Sequence, residues 1–298
     1  MHLKPSDLNL LRERAERVAK EAGALIMRYA GAVPEIKHKA GAVSLAAQVV
    51  TEVDHKCDAL IRERLMDTVD RFDLALLTEE TEDDGSRLKK DYFWCVDPLD
   101  GTLAFTRSVH GYSVAISLIT KQGEPVIGVV YDPLKDDLYS AVKGQGAKHN
   151  GQRWRPLDEN KVAVEEAVEF IVQLDCSFIE STRFVDIWAR VEQWAVDQGY
   201  SGARYLSDAG GVMSAIAVLR EPPACYFKPP KDQSGGGSVW DFAATACIFA
   251  EVGAYAMDYS GKSFHFNPKG DTYMNHCGVM FSTNDFSASM QAAGIMLG

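Results

Sequence analysis

Nine consecutive residues decide the fold expected of this 298-residue chain: Asp97-Pro98-Leu99-Asp100-Gly101-Thr102-Leu103-Ala104-Phe105. The preceding residues 92–96 are mostly aromatic or β-branched, which predicts a buried strand. Proline cannot extend a hydrogen-bonded ladder, so we expect this strand to end at Asp97. Gly101 permits a close backbone approach, and Asp100 or Thr102 can begin a helical turn with free N–H groups. The stretch therefore predicts a strand-to-helix turn that offers carboxylates to a cation beside amide groups for a phosphate.

Taken alone, the two acids also have a structural explanation, an Asx turn that caps a helix. A calcium-binding EF-hand is a further explanation of the order D-x-x-D-G. That motif needs acids at alternate positions and a glutamate at its twelfth, where Ser108 stands. The sequence therefore excludes the EF-hand and leaves the Asx turn to be weighed against a metal site.

Composition sets the scale of the molecule. With 46% hydrophobic residues, the chain can bury a large core in one domain or in two closely packed subdomains, which we place at residues 1–157 and 158–298. The net charge of −11 argues against a nucleic-acid partner or an anionic membrane surface, both of which need a basic footprint.

Cysteine usage and hydropathy indicate the compartment. The six cysteines are dispersed without a C-x-x-C pair, so we expect reduced core residues rather than disulfides. The first residues form no apolar signal region, and no stretch is long enough to span a bilayer. A cytoplasmic location is therefore the expectation.

Periodicity divides the chain into two kinds of structure. Helical spacing of apolar residues predicts a first helix capped by Ser6 and a second from about Asp54 to Asp70, before a short strand that ends at Glu79. Alternating patterns from residue 112 to about 157 predict an antiparallel sheet. Beyond it, strands alternate with helices at about 181–198, 209–219 and from 241, which predicts a mixed α/β half.

Three further stretches place acids at the ends of predicted elements: Thr51-Glu52-Val53-Asp54, Thr78-Glu79-Glu80 and Trp240-Asp241-Phe242-Ala243-Ala244. Each acid has an ordinary alternative role. Glu79 could belong to a solvated acidic loop, while Asp54 and Asp241 could be acids in the first turn of a helix. Ala243 and Ala244 would let the last helix pack closely and so fix the Asp241 carboxylate.

The four stretches, in this order, resemble the landmarks of the inositol monophosphatase superfamily, whose signature is D-P-(I/V/L)-D-G-T-x-x-F. The resemblance covers nearly the whole chain and lowers the weight of the ordinary alternatives. It implies an α/β protein with a layered αβαβα fold. It further implies a Mg2+-dependent, lithium-sensitive phosphomonoesterase that acts on a small phosphorylated substrate and forms a homodimer.

The resemblance also implies a role for each landmark residue. Glu79, Asp97 and the carbonyl of Leu99 would hold one Mg2+ ion. Asp97, Asp100 and Asp241 would hold a second, and a third, weaker ion would lie near Glu79. Hard oxygen donors suit Mg2+, whereas zinc usually recruits His or Cys. None of the landmarks contains either residue.

The remaining implied roles concern the attacking water and the ester. With Glu79, the catalytic residues would be Asp54 and Thr102, in which Asp54 hydrogen-bonds Thr102 and Thr102 orients the water. The substrate-binding residues implied by the resemblance are Asp100, Gly101, Thr102, Ser207, Asp208 and Ala209.

Substrate identity is open between two members of the family's range. A phosphorylated polyol such as inositol monophosphate is favoured by Asp208, which could accept hydrogen bonds from hydroxyls and would repel a second phosphate. A 3′(2′),5′-bisphosphate nucleotide is the alternative, because Arg107 could bind a second phosphate. Lys228, Lys231, the glycine run before Trp240 and the long segment 39–51 are unlike either subgroup.

A different class of function is a metal- or phosphate-binding relative without turnover. Loss of an acid would be its expected sign, and all four landmarks retain theirs. The sequence therefore favours the enzyme.

Overall fold

A computed structural model describes residues 3–30, 45–159, 168–232 and 237–296, without the side chains of residues 45–51 and 159. The long segment at 39–51 and the glycine run at 234–237 lie wholly or partly outside the described residues. Among the described helices, none combines the length and apolarity needed to cross a bilayer.

The first half of the chain forms a seven-stranded sheet, named here sheet A, with its strands in chain order. Strands β1 and β2 are parallel, and every later pair in this sheet is antiparallel. The predicted antiparallel sheet is thus mixed at one edge. Its strands are β1 Ala75–Thr78, β2 Tyr92–Asp100, β3 Ser113–Thr120, β4 Pro125–Asp132, β5 Asp137–Val142, β6 Gly146–His149 and β7 Gln152–Trp154.

The second half forms a five-stranded sheet, named here sheet B, in the order β11-β12-β10-β8-β9. Its three strands β8, β9 and β10 are parallel, so their carboxyl ends lie along one edge. The strands are β8 Glu169–Leu174, β9 Gly202–Leu206, β10 Ala224–Lys228, β11 Tyr255–Met257 and β12 Val279–Ser282.

Helices cover both sheets. The described helices are α1 Pro5–Tyr29, α2 Leu45–Phe72, α3 Thr102–Thr106, α4 Pro156–Glu159, α5 Cys176–Ile179, α6 Phe184–Asp197, α7 Gly211–Arg220, α8 Val239–Val252 and α9 Ser287–Ala292. The structure confirms the predicted helices near 181–198, 209–219 and 241. Helix α2 begins earlier than the sequence pattern indicated.

Three buried apolar clusters define the layers. One packs α1 and α2 on sheet A, a second packs α7 and α8 between the two sheets, and a third packs α6 and α9 on the outer face of sheet B. Strand β2 shows why a layer is needed on each side, because Phe93 and Cys95 face the central cluster while Trp94 and Val96 face the outer one. The predicted αβαβα layering is confirmed.

Two predicted boundaries are wrong. Strand β2 does not end at Asp97 but continues to Asp100, because its pairing with β3 shifts between these two residues. Pro98 and Leu99 together oppose a single residue, Val114, so proline is accommodated in a bulge where no ladder hydrogen bond is required. Ser6 does not cap the first helix. The helix begins at Pro5, and the Lys4 N–H donates to the Asp7 carboxylate at 2.9 Å.

Helix α8 approaches sheet A closely because strand β4 carries a glycine beneath it. A Cβ on Gly128 would lie 2.2 Å from the carbonyl oxygen of Ala244 and 2.9 Å from the Cβ of Cys247. Ala243 and Ala244 are themselves fully buried. The small residues on both sides set the height of α8 above the sheet, and with it the position of Asp241 in its first turn.

Replacing Gly128 with alanine should push α8 away from sheet A, because the added methyl overlaps backbone that cannot rotate aside. We expect the free energy of unfolding to fall by about 1–3 kcal/mol, measured by urea denaturation. Gly270→Ala is the matched control, since a Cβ there meets nothing within 4 Å. Equal urea midpoints for the two variants would contradict the packing argument.

Candidate active site

Glu79 and Asp97 are brought together by the parallel pairing of their strands. Thr78 at the end of β1 is in register with Val96 in β2, and the Glu79 N–H donates to the Val96 carbonyl at 3.2 Å. The next residues along the two strands are Glu79 and Asp97, whose carboxyl groups are close enough for each to shift the pKa of the other. Sheet register therefore creates the first acid pair.

The bulge in β2 turns the second half of the motif toward the same point. Asp97, only 1% exposed, accepts a hydrogen bond from the Leu99 N–H at 3.0 Å. The Leu99 carbonyl accepts one from the Thr102 hydroxyl at 3.4 Å. These two short-range hydrogen bonds hold the loop in shape. They tie Leu99, whose carbonyl was predicted as a metal ligand, to both Asp97 and Thr102.

Asp100 connects this loop to sheet B. Its carboxylate accepts hydrogen bonds from the N–H groups of Gly211 at 3.2 Å and Val212 at 2.9 Å, at the start of helix α7. Free N–H groups at a helix N-terminus favour a negative charge. Asp100 is therefore fixed by a segment more than one hundred residues later in the chain.

Three glycines allow the backbones to cross here. A Cβ on Gly101 would lie 2.4 Å from the Gly111 carbonyl oxygen, and one on Gly210 would lie 2.4 Å from an oxygen of Asp100. The Gly210 N–H also donates to the Gly111 carbonyl at 2.8 Å. Gly101 and Gly111 have positive φ, a backbone conformation that favours glycine.

Asp241 is supplied by the first turn of α8. Its carboxylate accepts a hydrogen bond from the Ser238 N–H at 2.6 Å, so it fulfils the predicted role of an acid at the start of a helix. The same side chain reaches the centre of the molecule. Oxygens of Asp97, Asp100 and Asp241 lie within 4.8 Å of one another.

These three residues and Glu79 are called the acid cluster below. Although Glu79 is exposed by surface area, the surrounding protein partly desolvates its carboxyl and raises its pKa to about 8, and the charges of Asp241 and Glu80 add to the rise. Burial likewise raises the pKa of Asp100 to about 7, with Asp241 as the next cause, and holds the pKa of Asp97 well above its ordinary value. Asp97 and Asp100 are buried, Asp241 is partly buried and Glu79 reaches the surface. The mutual repulsion of these four carboxyls would be relieved by a bound divalent cation.

Asp54 lies on helix α2 beside Glu80 rather than within the acid cluster. Burial raises the pKa of Asp54 to about 7, and the charge of Glu80 contributes to this. Among the described residues, the Thr102 hydroxyl donates to Leu99 and not to Asp54. The expected hydrogen bond between Asp54 and Thr102 therefore stays a prediction.

A cleft of about 770 Å³ opens over Asp100 and Asp241. One wall is the segment after α3, which includes Arg107 and His110. The other wall is the edge of sheet B where its parallel strands end, a usual place for ligands in α/β sheets. The predicted substrate residues Gly101, Thr102, Ser207, Asp208 and Ala209 all line this cleft.

Sequence reasoning missed two side-chain pairs that involve residues of these walls. Lys228 forms an ion pair with Asp175, and His110 Nε2 lies 2.7 Å from the buried carboxylate of Asp132. Asp175 directly follows the apolar strand β8, and Lys228 is the last residue of the apolar strand β10. Their positions at the carboxyl ends of these strands are the sequence signal that could have located them. Asp132 ends β4, and nothing in its sequence neighbourhood indicates His110 as its partner.

Comparison with known proteins identifies the class. The sequence profile of the inositol monophosphatase family matches residues 7–292, so the chain belongs to that family. Inositol monophosphatase 2 of Solanum lycopersicum is 32% identical over 258 residues, which are 84% of this chain and 88% of the relative. The chain is accordingly a phosphatase, a phosphoric monoester hydrolase, of a family that is generally metal-dependent.

Two further comparisons concern the substrate and the fold. Fructose-1,6-bisphosphatase/inositol-1-monophosphatase of Thermotoga maritima is 28% identical over 268 residues, 87% of this chain and 89% of the relative. The crystal structure of inositol monophosphatase-II from Staphylococcus aureus has a TM-score of 0.70 at 21% identity, with 97% of this chain and 95% of that chain covered. The solved structure shows a shared fold, and the relatives' names differ in substrate.

The metal-free protein should lose stability as pH rises. Folded-state pKa values of about 7 to 8 for Asp100 and Glu79 exceed their ordinary values of 3.8 and 4.5. The folded chain therefore binds more protons than the unfolded chain between these limits, and stability falls through that window. In a chelator we expect the Tm to drop by several degrees from about pH 5.5 to about pH 8.5, and added Mg2+ to abolish the drop.

Variants locate the titrating group. Glu79→Gln should reduce the fall in Tm, because it removes a group that protonates on folding. Glu82→Gln, at an exposed acid in the following loop, should leave it unchanged. A Tm in chelator that is the same at both pH values would contradict the assignment of raised pKa values to the acid cluster.

Proposed function

We propose that this phosphatase is a Mg2+-dependent enzyme that hydrolyses a small phosphorylated polyol resembling inositol monophosphate. The observation that carries the proposal is the convergence of the Asp97, Asp100 and Asp241 oxygens within 4.8 Å, with Glu79 held next to Asp97 by the pairing of β1 with β2. Sheet A and helix α8, from the two halves of the chain, are both needed to assemble this arrangement.

The donor set fits magnesium. All side-chain donors are carboxylates, the Leu99 carbonyl lies between two of them in the chain, and the three converging residues include no His or Cys. Glu79, Asp97 and the Leu99 carbonyl would hold one ion, and Asp97, Asp100 and Asp241 a second. A third ion near Glu79 is part of the proposal. Bound ions of this kind supply an activated water and stabilise the departing oxygen.

The chain's own groups would then position the ester. Gly101 and Thr102 line the cleft beside Asp100, and their N–H groups are proposed to hold the phosphate. The Thr102 hydroxyl is proposed to orient the attacking water, and Asp54 is proposed as its hydrogen-bond partner. Hydrogen bonds from α7 to Asp100 and from Ser238 to Asp241 keep two acids in place without help from substrate.

A polyol is favoured by the wall at the edge of sheet B. Ser207 and Asp208 line the cleft where β9 ends, and hydroxyls can donate to a carboxylate and accept from a serine. A second phosphate at this wall would be repelled by Asp208. The wall therefore suits a neutral, hydroxylated alcohol.

The alternative substrate is a 3′(2′),5′-bisphosphate nucleotide, and Arg107 favours it. This guanidinium lines the opposite wall and, among the described residues, has no ion-pair partner. A second phosphate would have to lie on that side of the cleft. The relative rates of phosphate release from inositol 1-phosphate and from the bisphosphate nucleotide distinguish the two proposed substrates.

Assembly and organisation are part of the proposal. We expect a cytoplasmic homodimer of chains with subdomains at 1–157 and 158–298, each contributing one sheet. Helix α8 belongs to the second subdomain by sequence but packs on sheet A of the first. We therefore expect the two subdomains to fold as one unit.

Purified protein should release inorganic phosphate from inositol 1-phosphate only when Mg2+ is present, and lithium should inhibit the release. Asp97→Asn should reduce kcat by at least about 1,000-fold, because it removes a charged ligand while retaining the size of the side chain. The fold of the variant is checked by its circular dichroism spectrum. Glu82→Gln, which changes one acid at the surface, should keep the parent rate.

Three results would contradict the proposal. Full activity of Asp97→Asn would remove its role as a ligand. Preference for phosphoadenosine phosphate would establish the nucleotidase alternative. Binding of Mg2+ and phosphate without turnover of any ester would establish the non-catalytic relative.

A further inference from the structure

The ion pair between Lys228 and Asp175 is built by the register of sheet B. Strands β10 and β8 are parallel, with Phe227 opposite Leu174, so the next residue of each strand lies at the same edge. Asp175 also accepts hydrogen bonds from the N–H and hydroxyl of Ser177. The carboxylate is thus held by both the strand and the short helix that follows it.

Lys228 is enclosed, with a side chain that is 17% exposed. Its Nζ lies 6.0 Å from the centre of the Phe242 ring, beside Asp241 in α8. Among the described residues, Asp175 is the only ion-pair partner of this ammonium group. An ammonium group carries three donors, so two remain for a ligand in the cleft.

The pair stands between two cavities. Lys228 and Asp175 line the cleft above the acid cluster and also a second cavity of about 310 Å³. The other residues lining that cavity are both apolar, such as Phe178 and Met274, and polar, including Arg183 and Lys231. The ion pair is therefore a wall of the cleft as well as a source of hydrogen bonds.

Along this wall one donor is followed by two acceptors. Lys228 ends β10, Asp175 follows the neighbouring strand β8, and Asp208 follows β9 beyond it. The three side chains together carry a net negative charge, which disfavours a second anion. A hydroxyl, which both donates and accepts, matches the pattern.

We infer that Lys228 is a specificity-determining residue, whose ammonium group, held by Asp175, donates a hydrogen bond to a hydroxyl oxygen on the alcohol portion of the ester. The inference rests on the proposed phosphatase function. It assigns the selection of a hydroxylated alcohol to a residue that takes no part in holding the metal ions.

The test compares esters that share a six-membered ring: inositol 1-phosphate, cyclohexyl phosphate, which lacks hydroxyls, and inositol 1,4-bisphosphate. Lys228→Met keeps most of the side-chain length, so the wall between the cavities is retained while the donor is lost. We expect kcat/KM for inositol 1-phosphate to fall about 10- to 100-fold, mainly through KM, as for a lost charged hydrogen bond. For cyclohexyl phosphate the change should stay within about twofold.

Two further variants serve as controls. Lys231→Met removes a lysine that lines the second cavity but not the cleft, and it should alter neither rate. The double variant Lys228→Met with Asp175→Asn removes the acid that would be left unpaired, and it should show the same selective loss. Equal Tm values for parent and variants exclude a loss of folding.

Each other result overturns the inference. An equal loss on inositol 1-phosphate and cyclohexyl phosphate would show that Lys228 is merely structural, and no loss would show that it does not contact substrate. A loss confined to the bisphosphate would show that it binds a second anion. In these three cases the parent remains a phosphatase, whereas a parent inactive on every ester would overturn the proposed function as well.

Discussion

Electrostatic repulsion among closely placed carboxyls is the constraint around which this molecule is organised. Glu79, Asp97, Asp100 and Asp241 come together where desolvation raises their pKa values, and their mutual repulsion favours separation. Parallel register, a β-bulge and two helix starts prevent this. The fold thus holds in place an arrangement that is unfavourable without cations, which is how a binding site for hard divalent ions is prepared in advance.

Each acid is fixed by a different local rule, and this explains the layered fold. Strand pairing fixes Glu79, and a helix from the other half of the chain fixes Asp100. Asp241 depends on α8, whose approach to sheet A is set by Gly128. The helices α7 and α8 therefore connect the two sheets by packing between them. The cleft lies next to this helical layer, and each half of the chain contributes one of its walls.

Much of this arrangement could be predicted from the sequence. Strand and helix patterns predicted the two halves, and the family resemblance predicted the layers. The resemblance also predicted ligand roles for Asp97, Asp100 and Asp241, whose oxygens converge, whereas Asp54 lies outside this group. The bulge at Pro98 was missed because proline alone signals an end of pairing, whereas the partner strand decides whether the ladder resumes at Asp100. The pairs Lys228 with Asp175 and His110 with Asp132 were missed because they join residues distant in sequence. Such pairing depends on tertiary register, which local pattern does not contain.

The late position of α8 has a consequence for biosynthesis. All of sheet A precedes residue 155, yet Cys95, Ala115 and Val130 on its inner face are covered in part by a helix that begins at Val239. While the nascent chain is still being translated, this face lacks its cover and is open to chaperones or to misassociation. Emergence of α8 from the ribosome then covers part of this face and supplies the fourth carboxylate in a single event.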